Sequence, residues 1–269
     1  MHNFLRILQN IINNSIEGKD YDINTIIARF LLANINPPLF DLDIETLAFE
    51  CFTSTSTVSR FCRRYGFSSF SEMKKAYLDI YNIGQELFLD NESNLVFDSK
   101  NDKQTLNNYI DLINDALLDF GDQVNFEIIE DLCRDIHDFD EVIIYGIMLP
   151  GAFIHHFQYM LLSIGKKVLF YPTNNLQYES ITYVSEESLI IVVSTDGNLI
   201  LKHDKLIRKI HNLKAKKILI TQNTTLKRST SFNQVIQLGN YKHPKVGRYK
   251  LQLFFEVLVN KYYQLYVQD

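Results

Sequence analysis

The sequence predicts a chain in two parts: an all-α N-terminal region, then an α/β domain of three layers around a five-stranded parallel sheet. The first observation behind this is a change in the spacing of apolar residues along the 269-residue chain. Up to residue 81 they recur only at helical intervals, whereas from about Thr105 short apolar runs alternate with helical segments. The second observation is composition, because 46% hydrophobic residues and only ten glycines allow a sizeable core.

These patterns predict a helical domain at 1–81, a linker at 82–103 and the α/β domain at 104–269. The linker is assigned where helical periodicity is lost and the sequence turns polar and acidic. Short, continuous apolar runs separated by helices are typical of parallel strands that are buried on both faces. The five runs predicted as strands lie at 142–145, 168–171, 189–193, 218–220 and 235–238.

Residues 42–65 have the spacing of two short helices joined by a tight turn, which indicates a helix-turn-helix. A helix numbered from Ser54 places Val58, Phe61, Cys62 and Tyr65 on one face, at i, i+3, i+4 and i+7. The opposite face offers hydroxyl and guanidinium groups and no carboxylate, which suits base edges and phosphates in a major groove. The alternative is an ordinary amphipathic helix whose arginines lie on a solvated face.

The distribution of charge along the chain favours a DNA-binding helix over an ordinary amphipathic helix. The net charge is −5, yet residues 60–75 contain five basic residues and a single acid. A basic patch in an acidic protein fits a small DNA-reading module carried by a larger acidic domain. We expect base-edge contacts from Ser56, Thr57 and Arg60, because the N-terminal part of the helix enters the groove most deeply. The full predicted DNA-binding set is Ser54, Ser56, Thr57, Ser59, Arg60, Arg63, Arg64, Lys74 and Lys75, with the last four assigned to phosphates.

Several classes of site are not expected. The three cysteines are widely spaced and form no CxxC pair, which predicts a reducing, cytoplasmic location and no zinc site. His155 and His156 are adjacent and so do not share a helical face, which argues against metal ligation. No signal peptide, membrane span, phosphate-binding loop or dinucleotide fingerprint is recognised, so we expect no cofactor and no membrane partner.

The residues 57–62 (TVSRFC), Gly66-Phe67, 70–72 (FSE) and Lys74 resemble the N-terminal domain of RpiR/MurR-type bacterial transcriptional regulators. The second half is similar to a sugar-isomerase (SIS) domain, the usual effector module of that family. The resemblance implies a cytoplasmic regulator that is not an enzyme, binds double-stranded operator DNA and forms a homodimer or higher homo-oligomer. The apolar C-terminal helix is a candidate interface element. The alternatives are a sugar-phosphate isomerase with an added helical domain and a purely structural oligomeric protein.

The resemblance also implies a carbohydrate-derivative site, in loops that here depart from the family pattern. The first family loop, G-x-G-x-S, begins at Gly146 but continues without its second glycine and serine. The second, S-x-S-G-x-T, has an aspartate and a leucine at the second serine and threonine positions. The residues implied as ligand-binding are Gly146, Ser194, Thr195, Asp196, Gly197 and Asn198.

An aspartate at position 196 would oppose a bound phosphate. Two unit charges ~4 Å apart repel by about 4 kcal/mol at an effective dielectric of 20. Loss or replacement of the usual sugar phosphate is therefore expected over its retention. Three possibilities remain open: a neutral or cationic metabolite, a relocated site using Lys245 or Arg248, and no ligand.

Overall fold

The computed structural model describes residues 4–15, 22–89, 101–146, 149–171, 174–226, 231–239 and 246–268. The chain divides into two compact units, Met1–Asn94 and Leu95–Asp269. The first described unit is helical and the second is a three-layer α/β unit with a five-stranded parallel sheet, which confirms the predicted fold class.

The first unit is built from short helices around one apolar core. Their bounds are α1 Phe4–Asn13, α2 Ile23–Ala33, α3 Ile44–Glu50, α4 Thr55–Arg64 and α5 Phe70–Leu89. The predicted inner face of α4 is confirmed, because Val58, Phe61 and Cys62 are each at most 1% exposed. Tyr65, the fourth member of that face, is half-buried beside Phe61, with ring centroids 4.8 Å apart.

Side-chain caps fix the start of both helices in the α3–α4 pair. The Asp43 carboxylate accepts a hydrogen bond from the Thr46 N–H at 2.7 Å, and the Ser54 hydroxyl accepts one from the Thr57 N–H at 3.2 Å. Each cap satisfies an N–H that has no partner inside its helix. The turn between them passes through Phe52, whose φ of 52° is unusual for a residue other than glycine.

Helix α5 begins at Phe70 and extends into the predicted linker. Ser69 caps it, because its hydroxyl accepts from the Glu72 N–H at 3.2 Å. The Glu72 carboxylate accepts hydrogen bonds from the N–H and the hydroxyl of Ser68. In a standard capping box it would accept from the N–H of the N-cap residue, which here is Ser69. The helix continues to Leu89, eight residues past the predicted boundary at 81. Residues 90–100 of the predicted linker lie outside the described residues.

The second unit alternates helices and strands. The helices are α6 Asp102–Gln123, α7 Phe126–Asp138, α8 Leu149–Ser163, α9 Asn174–Ser180, α10 Asn198–Lys202, α11 Asp204–Asn212 and α12 Gly247–Tyr266, with a 3₁₀ turn at Ile181–Tyr183. The strands are β1 Val142–Gly146, β2 Leu169–Phe170, β3 Leu189–Val193, β4 Lys216–Thr221 and β5 Gln234–Gln237. All five strands fall on the predicted apolar runs, although β2 has only two residues.

The strands pair in parallel in the order β2-β1-β3-β4-β5. Alternate residues of the central strands point to opposite faces, and each face has its own core. Ile144 and Ile191 pack with α6, α7, α8 and α12, whereas Tyr145 and Val192 pack with α10, α11 and the 3₁₀ turn. Helices therefore cover both faces of the sheet.

Helix α12 buries one apolar face in the core of the second unit. Its residues Leu251, Phe254, Phe255 and Leu258 are at most 2% exposed, and it packs against α6, α7 and α8. Most of its apolar residues thus pack within the unit, while Tyr263 and Leu265 near its C-terminal end are exposed. The expectation of α12 as an interface element stays a prediction.

All three cysteines are unpaired and buried. Burial raises the pKa of the Cys51 and Cys62 thiols to about 11 and that of Cys133 to about 12. They behave as small apolar core residues, as predicted for Cys62.

Phe61→Ala should destabilise the first unit by about 3–5 kcal/mol, because a fully buried ring is removed and a cavity is left. The matched control is Phe49→Ala, whose ring is 78% exposed and whose loss should change stability by less than about 0.5 kcal/mol. Urea unfolding followed by helical circular dichroism measures both. Equal effects of the two substitutions would contradict the placement of α4.

Ser54→Ala should lower stability by about 1 kcal/mol, because the Thr57 N–H would lose its capping acceptor. Ser56→Ala is the control, since Ser56 is exposed within the first turn and caps no helix. The same urea titration compares the two variants. A cost for Ser56→Ala as large as that for Ser54→Ala would show that the cap is not the source of the effect.

Candidate functional site

The cap and outward face of α4 bring together seven of the nine predicted DNA-binding residues, whereas Lys74 and Lys75 lie on α5. Ser54, Ser56, Arg60, Arg63 and Arg64 are exposed. Thr57 and Ser59 are half-buried at the edges of this face. No acidic residue lies in the first turn of the helix, and Arg63 and Arg64 lie in the last. The arrangement gives a strip of hydroxyl and guanidinium groups, which we call the α4 face.

Hydrogen bonds hold part of the α4 face in one geometry. The hydroxyls of Ser54 and Thr57 lie 3.1 Å apart, and an Nη atom of Arg60 donates to the Thr57 hydroxyl at 3.0 Å. The residue that caps the helix thus also positions the guanidinium of Arg60 through Thr57. A guanidinium ordered in this way loses less side-chain entropy when it forms a paired contact.

The remaining basic residues differ in accessibility. The Arg64 guanidinium lies 5.9 Å from the centroid of the Tyr65 ring, within the range of a cation–π contact. Lys74 is half-buried, and Lys75 is exposed. The pKa of Asp43 is lowered chiefly by the hydrogen bond from Thr46, with a smaller contribution from the charge of Lys74. Lys75 and Arg63 are therefore the more accessible candidates for phosphate contacts.

Sequence reasoning missed an aromatic feature beside this face. Phe49 at the end of α3 is 78% exposed, and Phe52 in the turn is 96% exposed. Two rings of this size in water next to a basic strip are unusual. Nothing in the residue spacing indicated that these two rings would be exposed.

The residues predicted to bind a ligand lie along one edge of the sheet, where β1 and β3 end; residues 147–148 of the first loop lie outside the described residues. Gly146 pairs with Val193 at the carboxyl ends of these strands, and residues 194–197 follow directly. Ligands of open α/β sheets bind in this position. Ser194, Thr195 and Gly197 are buried, Asp196 is half-buried, and Asn198 is exposed.

The hydroxyl and the carbonyl of Ser194 both accept hydrogen bonds from within the second unit. Its hydroxyl accepts from the Leu199 N–H at 3.1 Å, and its carbonyl accepts from the Thr221 hydroxyl at 2.8 Å. Gly197 has a φ of 86°, and an added Cβ would lie 2.7 Å from a methyl group of Leu226. The Thr195 hydroxyl is buried and has no hydrogen-bond partner within the described ranges.

Close packing leaves no room for a side chain at Gly146. A Cβ at this position would lie 2.3 Å from Cδ1 of Ile154. Its carbonyl accepts from the side-chain amide of Gln177 at 2.7 Å, and the same amide donates to the Tyr171 carbonyl at 2.8 Å. Gln177 is fully buried, and it was not identified from the sequence.

Asp196 accepts hydrogen bonds from two residues that follow the neighbouring strand, β4. The side-chain amide of Gln222, which follows β4, donates to its carboxylate at 2.5 Å. The Asn223 side chain donates to its carbonyl at 3.1 Å. Burial raises the pKa of Asp196, and the Gln222 hydrogen bond and the charge of Lys250 oppose that rise. The carboxylate therefore points towards the protein's own polar groups.

Lys250 lies behind this carboxylate, on α12. Its side chain is 0% exposed, and its Nζ is 3.7 Å from a carboxylate oxygen of Asp119. Burial lowers the pKa of Lys250, while the charges of Asp119 and Asp196 raise it. A lysine within the apolar sequence of α12 was the signal that could have identified this residue, because lysine is almost never fully buried unless it is paired.

The relocated site considered from the sequence is only partly visible. Lys245 lies outside the described residues. Arg248 donates to the Tyr109 hydroxyl at 2.7 Å, and its guanidinium lies 5.0 Å from the Tyr249 ring centroid. This cation is thus already committed to two tyrosines of the same unit.

The described residues were also compared with the requirements of a metal site and of a membrane span. His155 packs edge-on against Phe170, with ring centroids 5.1 Å apart. Among the described residues, no group of three or more histidine, cysteine or acidic side chains could hold a metal ion. Within the same residues, no helix combines the length and the apolar character needed to cross a membrane.

The comparisons with known proteins are structural. No family model and no curated protein matches the sequence. The NanR protein of Vibrio vulnificus complexed with ManNAc-6P aligns over 98% of this chain and 92% of its own, at 18% identity and a TM-score of 0.51. The phosphoheptose isomerase GmhA of Neisseria gonorrhoeae aligns over 61% of this chain and 99% of its own, at 9% identity and a TM-score of 0.53.

The sugar isomerase domain of an RpiR transcription factor from Sphaerobacter thermophilus aligns over 60% of this chain and 88% of its own, at 17% identity and a TM-score of 0.47. At these identities the likenesses concern fold alone. The three-layer fold of the second unit is therefore shared with known structures that include NanR and GmhA.

Proposed function

We propose that this protein is a DNA-binding transcriptional regulator of the RpiR/MurR type that reads double-stranded operator DNA with α4. The observation that carries the proposal is the α4 face, an exposed strip of hydroxyl and guanidinium groups that includes no carboxylate. The likeness to NanR extends over 98% of the chain and so includes the helical unit as well as the α/β unit, which supports the proposal.

In this proposal Arg60 reads a base, and the other cations set affinity. An arginine that pairs with guanine through two hydrogen bonds discriminates by roughly 1–3 kcal/mol against the wrong base. The link from Ser54 through Thr57 orients Arg60 for such a contact. Arg63 and Lys75 bind phosphates, which contribute equally on any sequence.

The second unit would dimerise the protein and sense a small metabolite. A single short recognition helix reads few base pairs, so a homodimer on a two-fold operator is the expected assembly. The NanR structure contains ManNAc-6P, which makes a carbohydrate derivative the first class to consider as a ligand. Three buried, unpaired cysteines fit the reducing conditions of a cytoplasmic location.

The second candidate function is a sugar-phosphate isomerase, favoured by the likeness of the second unit to GmhA. Fold alone does not decide activity, because one fold can host unrelated functions. An isomerase needs a positioned base beside a phosphate cradle. Here the carboxylate at the loop is bound by Gln222, so we propose that the protein is not an enzyme. Isomerase assays with aldose and ketose phosphates test that statement directly.

Arg60→Ala should abolish sequence preference while leaving general DNA affinity largely intact, because a base contact is lost and most phosphate contacts remain. The full chain is used to select binding sites from random duplex DNA, and affinity is then measured on the selected and scrambled duplexes by fluorescence anisotropy. Recovery of the same motif with equal affinity by Arg60→Ala would refute the role of this residue.

Lys75→Ala should weaken binding to selected and scrambled duplexes alike, because it removes one phosphate contact. The slope of log affinity against log salt should fall by about one. The matched control is Lys214→Ala, which removes an exposed lysine paired with Glu186 in the second unit and should leave both quantities unchanged. A loss confined to the selected duplex would contradict the phosphate assignment.

A further inference from the structure

An exposed aromatic ring lies where the chain turns from α3 into α4. Phe52 precedes Ser54, the residue that caps α4, by two positions, and its side chain is 96% exposed. Its φ is 52°, in the left-handed region that favours glycine. Among the described residues other than glycine, Phe52 alone has a positive φ. A large apolar side chain thus combines a backbone conformation and a solvent exposure that both disfavour it.

The turn that holds this ring has the hydrogen bonds of a Schellman motif, a common way to end a helix. The Phe52 N–H donates to the Phe49 carbonyl at 3.0 Å, and the Thr53 N–H donates to the Ala48 carbonyl at 2.8 Å. The residue in the place of Phe52 adopts the left-handed conformation in this motif, and it is usually glycine. These bonds fix the point from which the ring projects at the start of α4.

The same motif ends α4 and α8, and in both cases the left-handed residue is a glycine. Gly66 follows α4 with a φ of 87°, and Gly165 follows α8 with a φ of 85°. The same pair of hydrogen bonds closes each of these turns. Glycine at position 52 would relieve the backbone, and a polar residue would be better solvated. Because neither folding nor solubility explains the Phe52 ring, its strained position points to a contact outside the unit.

The surroundings of the ring indicate that the contact is with DNA. The adjoining α4 face carries the exposed guanidinium groups of Arg60, Arg63 and Arg64 and no carboxylate, which suits a polyanion. The N-terminal residues of a recognition helix reach base edges in the major groove, so the turn before them lies close to the same edges. Those edges present one apolar group, the 5-methyl group of thymine. An apolar ring at this end of α4 has that methyl group as its matching partner.

We propose that Phe52 is a specificity-determining residue that packs on the 5-methyl group of a thymine next to the bases contacted by α4. The inference deepens the proposed function and rests on it, since it requires α4 to lie in the major groove. Arg60 would select a guanine by hydrogen bonds, and Phe52 would select a thymine by apolar contact. Phe49 has an ordinary helical conformation in α3, so the inference concerns Phe52 alone.

The test removes single methyl groups from the DNA. The full chain first selects a duplex from random sequences, and each thymine of that duplex is then replaced in turn by deoxyuridine, which lacks only the 5-methyl group. Fluorescence anisotropy measures the affinity for every duplex. One replacement should weaken binding by the native chain about fourfold, as expected for the burial of one methyl group.

Phe52→Gly and Phe52→Asn should bind the thymine duplex and that deoxyuridine duplex equally, because the ring is removed and both residues tolerate a positive φ. Their affinity for the thymine duplex should fall by at least the same factor of about four. Phe52→Gly should also raise the unfolding temperature, which separates the loss of affinity from misfolding. Tyr183→Ala removes an 84% exposed ring from the second unit and should preserve the methyl effect.

The outcomes separate this inference from the proposed function. A native chain that selects a duplex yet binds every deoxyuridine version equally would overturn the role of Phe52 and leave operator binding intact. An undiminished methyl effect in Phe52→Gly would also overturn it, by assigning the methyl contact to another residue and the ring to a protein partner. A chain that selects no duplex would refute the proposed function itself and, with it, the contact made by Phe52.

Discussion

Every residue of β1 and β3 is buried, and this double burial determines how the second unit is arranged. Strands without a solvent face must be covered by helices on both sides, and parallel neighbours can be joined only by crossovers. All carboxyl ends of the strands then lie along one edge of the sheet. Polar side chains that follow different strands, such as Asp196 after β3 and Gln222 after β4, meet there.

The first unit follows a different rule, because its helices are short and depend on packing and capping more than on length. Helix α4 directs Val58, Phe61 and Cys62 inward and leaves its polar residues outward. Ser54 contributes twice, since it caps the helix and, through Thr57, positions Arg60. The stability of α4 and the DNA recognition proposed for Arg60 therefore both depend on the first turn of this helix.

Local periodicity was enough to predict the fold class, the strand positions and the α4 face, because each is encoded in neighbouring residues. The contacts of Asp196 and Lys250 could not be predicted from local periodicity. Asp119 and Lys250 lie far apart in the sequence, and their contact depends on how α6 and α12 pack. The sequence identified Asp196 as unusual but suggested that it faces a ligand, whereas Gln222 binds it.

Two other differences have local physical causes. Helix α5 runs to Leu89 because its single glycine in this segment, Gly84, weakens a helix without ending it. Phe52 adopts a positive φ that the sequence does not signal, since glycine is the usual residue in such a turn. Periodicity locates helices well and says little about where they end or how the chain turns between them.

The buried cysteines allow the opening of each unit's core to be measured separately. Cys51 and Cys62 lie in the core of the first unit, and Cys133 lies in that of the second. A thiol reagent needs both access and a thiolate, and burial suppresses both in the native state. The rates at which the thiols are alkylated therefore report, residue by residue, how often each core opens. The two units can be compared in one intact chain, with no added probe.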